Sequence, residues 1–189
     1  MYATGSVSTG IGGGLIIDNR LYTGAIGTAG EPGHMTINDK GPPCNCGNYG
    51  CWETLASGTA LAREARKRIE EGRKSLILEK ASGDLDKVSA EAVEKAAEDG
   101  DELAKELIAE LGYYLGVGLA NLINLFNPER IVIGGGVSNM GDRLLQPAFE
   151  TARKRAYTVA FDAVRFVTAE LGGDSGVLGA AMYAFDAMG

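Results

Sequence analysis

A chain of 189 residues, of which 45% are hydrophobic, is long enough and apolar enough to form one domain or one lobe of a larger protein. Its formal net charge of −7 argues against nucleic acid or an anionic membrane as the main partner, because the chain offers no basic surface that would release counterions. The first residues, MYATGSVSTG, are neither basic nor continuously apolar, so we expect no signal peptide and a cytoplasmic location.

The first 34 residues are typical of strands separated by turns. Apolar and β-branched residues lie between glycines in YATGSVS and GGLIIDNRLYTG, and Asp18 and Asn19 favour a tight hairpin between strands. A helical pattern follows Ser57, whose side chain suits the N-cap position, and it ends at Gly72.

Helices dominate the middle of the chain. Short helices are predicted between residues 73 and 100, with a polar break at SGDLDK and an N-cap at Ser89. A long helix is predicted from about Asp101 to Phe126. Its apolar stripe consists of Leu103, Leu107, Leu111, Leu115, Leu119 and Ile123. The most apolar part, residues 111–126, is shorter than the ~20 residues that cross a bilayer, so it predicts a buried helix and no membrane partner.

The last third alternates between strand and helix patterns. A buried strand is predicted at 130–136, a helix at 141–156, a strand at 163–171 and a final helix from about Ser175. A hairpin at the start and a βαβα order at the end together indicate an α/β layer fold.

The only histidine and all three cysteines lie between residues 34 and 51. His34, Cys44, Cys46 and Cys51 form a combination that closes tetrahedral structural zinc sites. Gly47 and Gly50 let the backbone turn tightly enough for the sulfur atoms to converge. An alternative is a surface histidine beside reduced thiols, but the close spacing favours zinc. Four protein ligands leave no open coordination position, so the metal is expected to be structural.

Two glycine-rich segments suit phosphate or nucleotide binding. The segment STGIGGG (8–14) could offer backbone N–H groups and the hydroxyls of Ser8 and Thr9 to phosphate oxygens, and a plain hairpin turn is the alternative. The segment IVIGGGVSNMG (131–141) places Gly134, Gly135 and Gly136 at the end of a strand, where α/β sheets admit nucleotides, or where an ordinary strand–helix turn occurs. Neither segment has the dinucleotide spacing or the Gly-Lys pair of a P-loop.

In combination these motifs resemble the ROK family (repressors, open reading frames and sugar kinases). The family signature is followed in VSTGIGGGL, Gly24, GEPGH, CNCGNYGCWE and ETLASGTAL. The resemblance implies a C-terminal lobe of the actin-like ATPase (ribonuclease H-like) fold, with a mixed sheet flanked by helices and an inserted zinc and sugar loop at 31–53. It also implies that this lobe takes up residues 1–189.

The resemblance further implies an ATP- and Mg²⁺-dependent kinase that phosphorylates a hexose, and a homodimer. It assigns Ser8, Thr9, Gly10 and Gly12 to phosphate binding, and Gly134, Gly135 and Gly136 to the adenosine side. It assigns Glu31, His34 and Glu53 to sugar hydroxyls, with His34 also a zinc ligand. By fixing the loop between the two glutamates, the metal would hold both carboxylates around the sugar.

The family's first phosphate hairpin and its catalytic Asp do not occur in this sequence. We therefore expect them in an N-terminal lobe that this chain lacks, and we expect negligible kinase activity from the chain alone. One alternative is the effector-binding lobe of a sugar-responsive ROK repressor, whose DNA-binding part would also lie elsewhere, so this lobe is not expected to contact nucleic acid. Another is a zinc-stabilised interaction module with helix 101–126 exposed to a partner.

Overall fold

A mixed five-stranded sheet organises the chain. The computed structural model describes the backbone of residues 1–188 and the side chains of residues 1–185. The strands are β1 (Tyr2–Val7), β2 (Ile11–Ile17), β3 (Arg20–Leu21), β4 (Arg130–Gly134) and β5 (Arg165–Thr168). Their order is β3-β2-β1-β4-β5, with β1, β2 and β3 antiparallel and β1, β4 and β5 parallel. The predicted α/β fold with a mixed sheet is confirmed.

Eight α-helices accompany the sheet within the described residues. They are α1 (Trp52–Ala56), α2 (Gly58–Glu70), α3 (Ile77–Lys80), α4 (Ala90–Glu98), α5 (Glu102–Phe126), α6 (Asp142–Arg155), α7 (Thr158–Ala163) and α8 (Ser175–Met188). The predicted N-caps are confirmed, because Ser57 accepts a hydrogen bond from the Ala60 N–H and Ser89 accepts one from the Ala92 N–H. The hairpin at Asp18 and Asn19 is also confirmed, with φ of 51° and 60°.

Three boundaries differ from the sequence prediction. The strand predicted at 163–171 is only Arg165–Thr168, since pairing with β4 ends there, and the unpredicted helix α7 precedes it. Helix α7 has no capping side chain and is six residues long, so its local sequence carries little helical signal. The strand predicted at 130–136 ends at Gly134, because Gly135 has a φ of 94° and leads into a 3₁₀ turn.

Helix α5 forms the centre of the core, where it packs against α1, α2, α4 and α6. All six residues of its predicted apolar stripe are buried, together with Ile131 and Ile133 of β4. Gly112 and Gly116 face α6 so closely that a Cβ on either would overlap the backbone of α6. The burial of α5 contradicts the alternative in which this helix is an exposed partner surface. Within residues 1–188, no helix combines the length and the apolarity that crossing a bilayer requires.

The start of α5 depends on Asp101. Its carboxylate accepts three hydrogen bonds, from the Ala104 N–H at 2.8 Å, the Ser75 hydroxyl at 2.9 Å and the Leu76 N–H at 2.7 Å. Asp101 therefore caps α5 and also anchors residues 75 and 76, which lead into α3, by hydrogen bonds.

We expect Asp101→Ala to lower the free energy of unfolding by about 2–3 kcal/mol, because a cap and two further bonds to a charged acceptor are lost together. Urea unfolding followed by circular dichroism measures the change. Glu102→Ala is the matched control, since Glu102 is exposed and its ion pair with Lys105 lies at the surface, where such a pair is worth about 0–1 kcal/mol. Equal effects of the two substitutions would contradict this role of Asp101.

Candidate functional site

The loop that carries the cysteines is folded back on itself by short backbone contacts. Isolated β-bridges join Thr36 to Cys51 and Pro43 to Tyr49. Gly50 has a φ of 60°, and a Cβ there would overlap the backbone oxygen of Asn38, so the turn requires glycine. The loop has few buried apolar side chains of its own, and its shape depends on these turns and on the groups that they bring together.

The turns bring His34, Cys44, Cys46 and Cys51 together. One ligand atom from each of these four residues lies within 4.8 Å of all the others. The Cys44 Sγ is 3.7 Å from the His34 Nδ1, and the Cys46 Sγ is 3.6 Å from the Cys51 Sγ. Two sulfur ligands of a tetrahedral zinc ion lie about 3.8 Å apart, given Zn–S bonds of about 2.3 Å. The geometry of this Cys/His cluster therefore fits the predicted metal.

The electrostatics of the Cys/His cluster also suit a cation. Burial, together with the smaller effects of the neighbouring thiols of Cys44 and Cys46, raises the pKa of the Cys51 thiol to about 12. The backbone of Asn48 lowers the pKa of exposed Cys46 by hydrogen bonding. Three thiolates at these distances would repel one another, and a bound cation would remove that repulsion.

Glu53 lies between the Cys/His cluster and the turn at residues 8–10. It occupies the first turn of α1, and its Oε1 is 3.3 Å from the Cys44 Sγ and 3.6 Å from the His34 Nδ1. Its Oε2 faces Gly10, where an added Cβ would be 2.7 Å from that oxygen. The sequence placed Glu53 at the end of the metal loop but did not predict its contact with the glycine-rich turn.

Glu31 lies in a different environment from Glu53. It is exposed, precedes the 3₁₀ turn Pro32–His34, and lines a pocket of about 240 Å³ that is otherwise mostly apolar. The same 3₁₀ turn packs tightly on β2, because a Cβ on Gly33 would overlap the backbone oxygen of Ile11. That Glu31 and Glu53 hold the same sugar remains a prediction.

Only part of the segment 8–14 is a turn. Residues 8–10 connect β1 to β2, whereas Gly12 lies in β2 opposite Ser6. The segment 8–14 is therefore part turn and part strand, because Ile11–Ile17 pair along β1. Gly13 lets the turn that carries His34 pack closely on β2, since a Cβ on Gly13 would overlap Pro32 of that turn.

A cleft of about 630 Å³ joins the two glycine-rich segments. Its lining includes Ser8, Thr9 and Gly136, together with the N-terminal residues of α2 and α4. Gly134 and Gly135 are not among the residues that line the cleft, and Gly135 packs on the backbone of Val7. Two groups in the lining, Thr59 and Arg66, were missed, because nothing in their local sequence links them to a segment about fifty positions earlier.

The mixed sheet, its flanking helices and the Cys/His loop define a lobe of the actin-like ATPase fold. The ROK family profile matches residues 3–187, and the chain belongs to the ROK family. The match to the crystal structure of a ROK family glucokinase from Streptomyces griseus in complex with glucose and AMPPNP has a TM-score of 0.83 and 36% identity. It covers 96% of this chain and 59% of that one.

Relatives of two kinds are similar to the chain. A glucokinase of Halalkalibacterium halodurans is 42% identical over 178 residues, which are 92% of this chain and 53% of that protein. A xylose repressor of Caldicellulosiruptor bescii is 36% identical over 174 residues, 92% of this chain and 43% of that protein. The chain thus spans about half the length of the curated relatives it matches.

Proposed function

We propose that the protein containing this chain is an ATP-dependent hexose kinase of the glucokinase type, which phosphorylates the 6-hydroxyl group, and that residues 1–189 form its C-terminal lobe. The observation that carries the proposal is the position of Glu53, between the Cys/His cluster and the turn at 8–10. Phosphoryl transfer requires the acceptor hydroxyl and the phosphate to be held side by side. A sugar-binding carboxylate next to a phosphate-binding turn meets that requirement.

On the sugar side, Glu31, His34 and Glu53 bind hydroxyl groups. Carboxylates make strong, charge-assisted hydrogen bonds to hydroxyl donors. The His34 Nδ1 faces the Cys44 Sγ, so the other ring nitrogen is available for a hydroxyl group. A structural zinc ion held by the Cys/His cluster would fix His34 and the loop, and His34 in turn lies beside Glu53, with its Nδ1 3.6 Å from the Glu53 Oε1.

On the nucleotide side, ATP with Mg²⁺ occupies the cleft of about 630 Å³. Ser8, Thr9 and Gly10 bind its phosphates, with Gly12 behind them in β2. Gly134, Gly135 and Gly136 shape the wall of the adenosine subsite, where Gly136 lines the cleft and the other two hold the strand end in place.

The base that accepts the hydroxyl proton is proposed to be an Asp in an N-terminal lobe. Within this chain, the carboxylate of Glu53 is engaged with Cys44 and His34, so it is a poor base for the reacting hydroxyl. Exposed apolar residues on α8, among them Val177, Met182 and Phe185, support a further lobe that covers them. Residues 1–189 alone are therefore proposed to be inactive as a kinase.

The second candidate is the effector lobe of a ROK repressor. Similarity to a xylose repressor over 92% of the chain favours it. The cleft beside the turn at 8–10 favours the kinase, because a repressor needs a sugar site but no phosphate site. In either case we propose that the protein is a homodimer in the cytoplasm and that this lobe does not contact nucleic acid. Analytical ultracentrifugation tests whether the protein is a dimer.

Calorimetric titration of the purified chain with glucose and with ATP·Mg²⁺ tests the proposal. We expect both ligands to bind, and we expect Glu53→Gln to weaken glucose binding by about ten- to a hundredfold, because a charged acceptor becomes neutral. Glu71→Gln is the control, since Glu71 ends α2 in an exposed ion pair with Lys67. Binding of glucose without ATP would favour the repressor, and binding of neither would reject the proposal.

A further inference from the structure

The N-terminal end of α2 holds the turn at residues 8–10 by two hydrogen bonds. The Gly58 N–H donates to the Ser8 carbonyl oxygen at 2.7 Å, and the Thr59 hydroxyl donates to the Thr9 carbonyl oxygen at 2.7 Å. A Cβ on Gly58 would lie 2.9 Å from that Ser8 oxygen and 3.1 Å from a methyl group of Val137, so this close approach requires glycine. Two carbonyl groups of the turn are thereby fixed to one helix.

Fixing these carbonyl groups also orients the backbone N–H groups of the turn. In a trans peptide, the carbonyl of one residue and the N–H of the next point in opposite directions. The N–H groups of Thr9 and Gly10 therefore point away from the bonds that α2 makes. Neither N–H donates a backbone hydrogen bond in the described part of the chain. Two successive free N–H groups on a turn form a site for an anionic oxygen.

The proposed sugar-binding carboxylate, that of Glu53, lies close to the same end of α2. Helices α1 and α2 are separated only by Ser57, which is 2% exposed. Glu53, on α1, reaches Gly10 on one side of the turn, and Thr59, on α2, holds Thr9 on the other. The position of the turn relative to Glu53 is thus set by the junction of α1 and α2 at the buried residue Ser57.

We infer that Thr59 is a positioning residue that aligns the phosphate-binding N–H groups of the turn with the sugar site, an inference that rests on the proposed function. Its hydroxyl acts through the Thr9 carbonyl group. The role of Thr59 depends on its hydroxyl group, because a hydroxyl donor at this position restricts rotation of the Thr9–Gly10 peptide. Valine has the same shape but cannot donate, whereas serine keeps the donor.

Titration of the 189-residue chain with ATP·Mg²⁺ and, separately, with adenosine tests the inference. We expect Thr59→Val to weaken ATP binding about tenfold and to leave adenosine binding within about twofold, because only the phosphate-facing peptides lose their anchor. Thr59→Ser is expected to restore ATP affinity to within about threefold of the parent protein. A general structural defect would instead weaken both ligands and would not be rescued by serine.

Thr54→Val is the matched control. The Thr54 hydroxyl also donates to a backbone carbonyl at 2.7 Å, that of Cys51, but makes no bond to the turn at 8–10. Its ATP affinity is expected to stay within about twofold of the parent value. If the parent protein binds ATP and Thr59→Val binds it equally well, the inference is wrong while the proposed function stands. If the parent protein binds no ATP, the proposed kinase function is contradicted, and the inference about Thr59, which rests on it, is contradicted as well.

Discussion

Cys51→Ala is expected to reduce the zinc content from about one ion per chain to nearly none and to abolish hexose binding. Cys51 is completely buried, and its Sγ is 3.6 Å from that of Cys46. Zinc binding in structural sites contributes about 10–16 kcal/mol, which is comparable with the whole stability of a domain. The loop between residues 34 and 51 has little apolar core, so its fold is expected to depend on the metal.

The consequence for the sugar follows from the contacts of Glu53. Its Oε1 lies against Cys44 and His34, both members of the Cys/His cluster, so disorder of the loop removes the support of the carboxylate. Elemental analysis by mass spectrometry measures the zinc, and calorimetry with glucose measures binding.

Asn45→Ala is the control for Cys51→Ala. Asn45 is exposed in the same loop, between two of the cysteines, and it offers no ligand that a zinc site uses. We expect this variant to keep its zinc and its glucose affinity. A parent protein without zinc, or full zinc retention by Cys51→Ala, would contradict the assignment of the Cys/His cluster as a metal site.

Gly118→Ala is expected to lower the free energy of unfolding by about 2–4 kcal/mol, although alanine is the better helix former by about 1 kcal/mol. A Cβ at this position in α5 would overlap the indole ring of Trp52. Trp52 is 2% exposed, and its Nε1–H donates to the Tyr114 carbonyl oxygen at 2.9 Å. The ring cannot move aside without losing both its packing and this hydrogen bond, so the steric effect exceeds the gain in helix propensity.

The effect of Gly118→Ala should extend to the site, because Trp52 stands between Cys51 and Glu53 in the chain. We expect faster zinc release to a chelator as well as a lower unfolding midpoint in urea. Gly179→Ala is the matched control, since Gly179 also lies within a helix, α8, but has open space where its Cβ would be. That variant is expected to be neutral or slightly stabilised, and equal destabilisation at the two positions would refute the packing argument.

Local patterns were enough to predict most of the elements. The caps at Ser57 and Ser89 and the stripe of α5 were predicted because capping and helical periodicity depend on residues a few positions apart. Helix α7 was missed for the same reason. It has no capping side chain, and its Phe161 packs beside Phe166 of β5, a contact that no local pattern reveals.

The sequence by itself determined which four residues form the Cys/His cluster and which family the chain belongs to, since both are defined by residue types at short, fixed spacings. Only the tertiary structure decided that Glu53 meets Gly10, that Thr59 holds Thr9 and that Gly118 makes room for Trp52. Each of these contacts joins residues more than forty positions apart. Their geometry is set by how α1, α2 and α5 pack together in the folded chain. Contacts between residues so far apart in the sequence produce no local or periodic pattern from which they could be predicted.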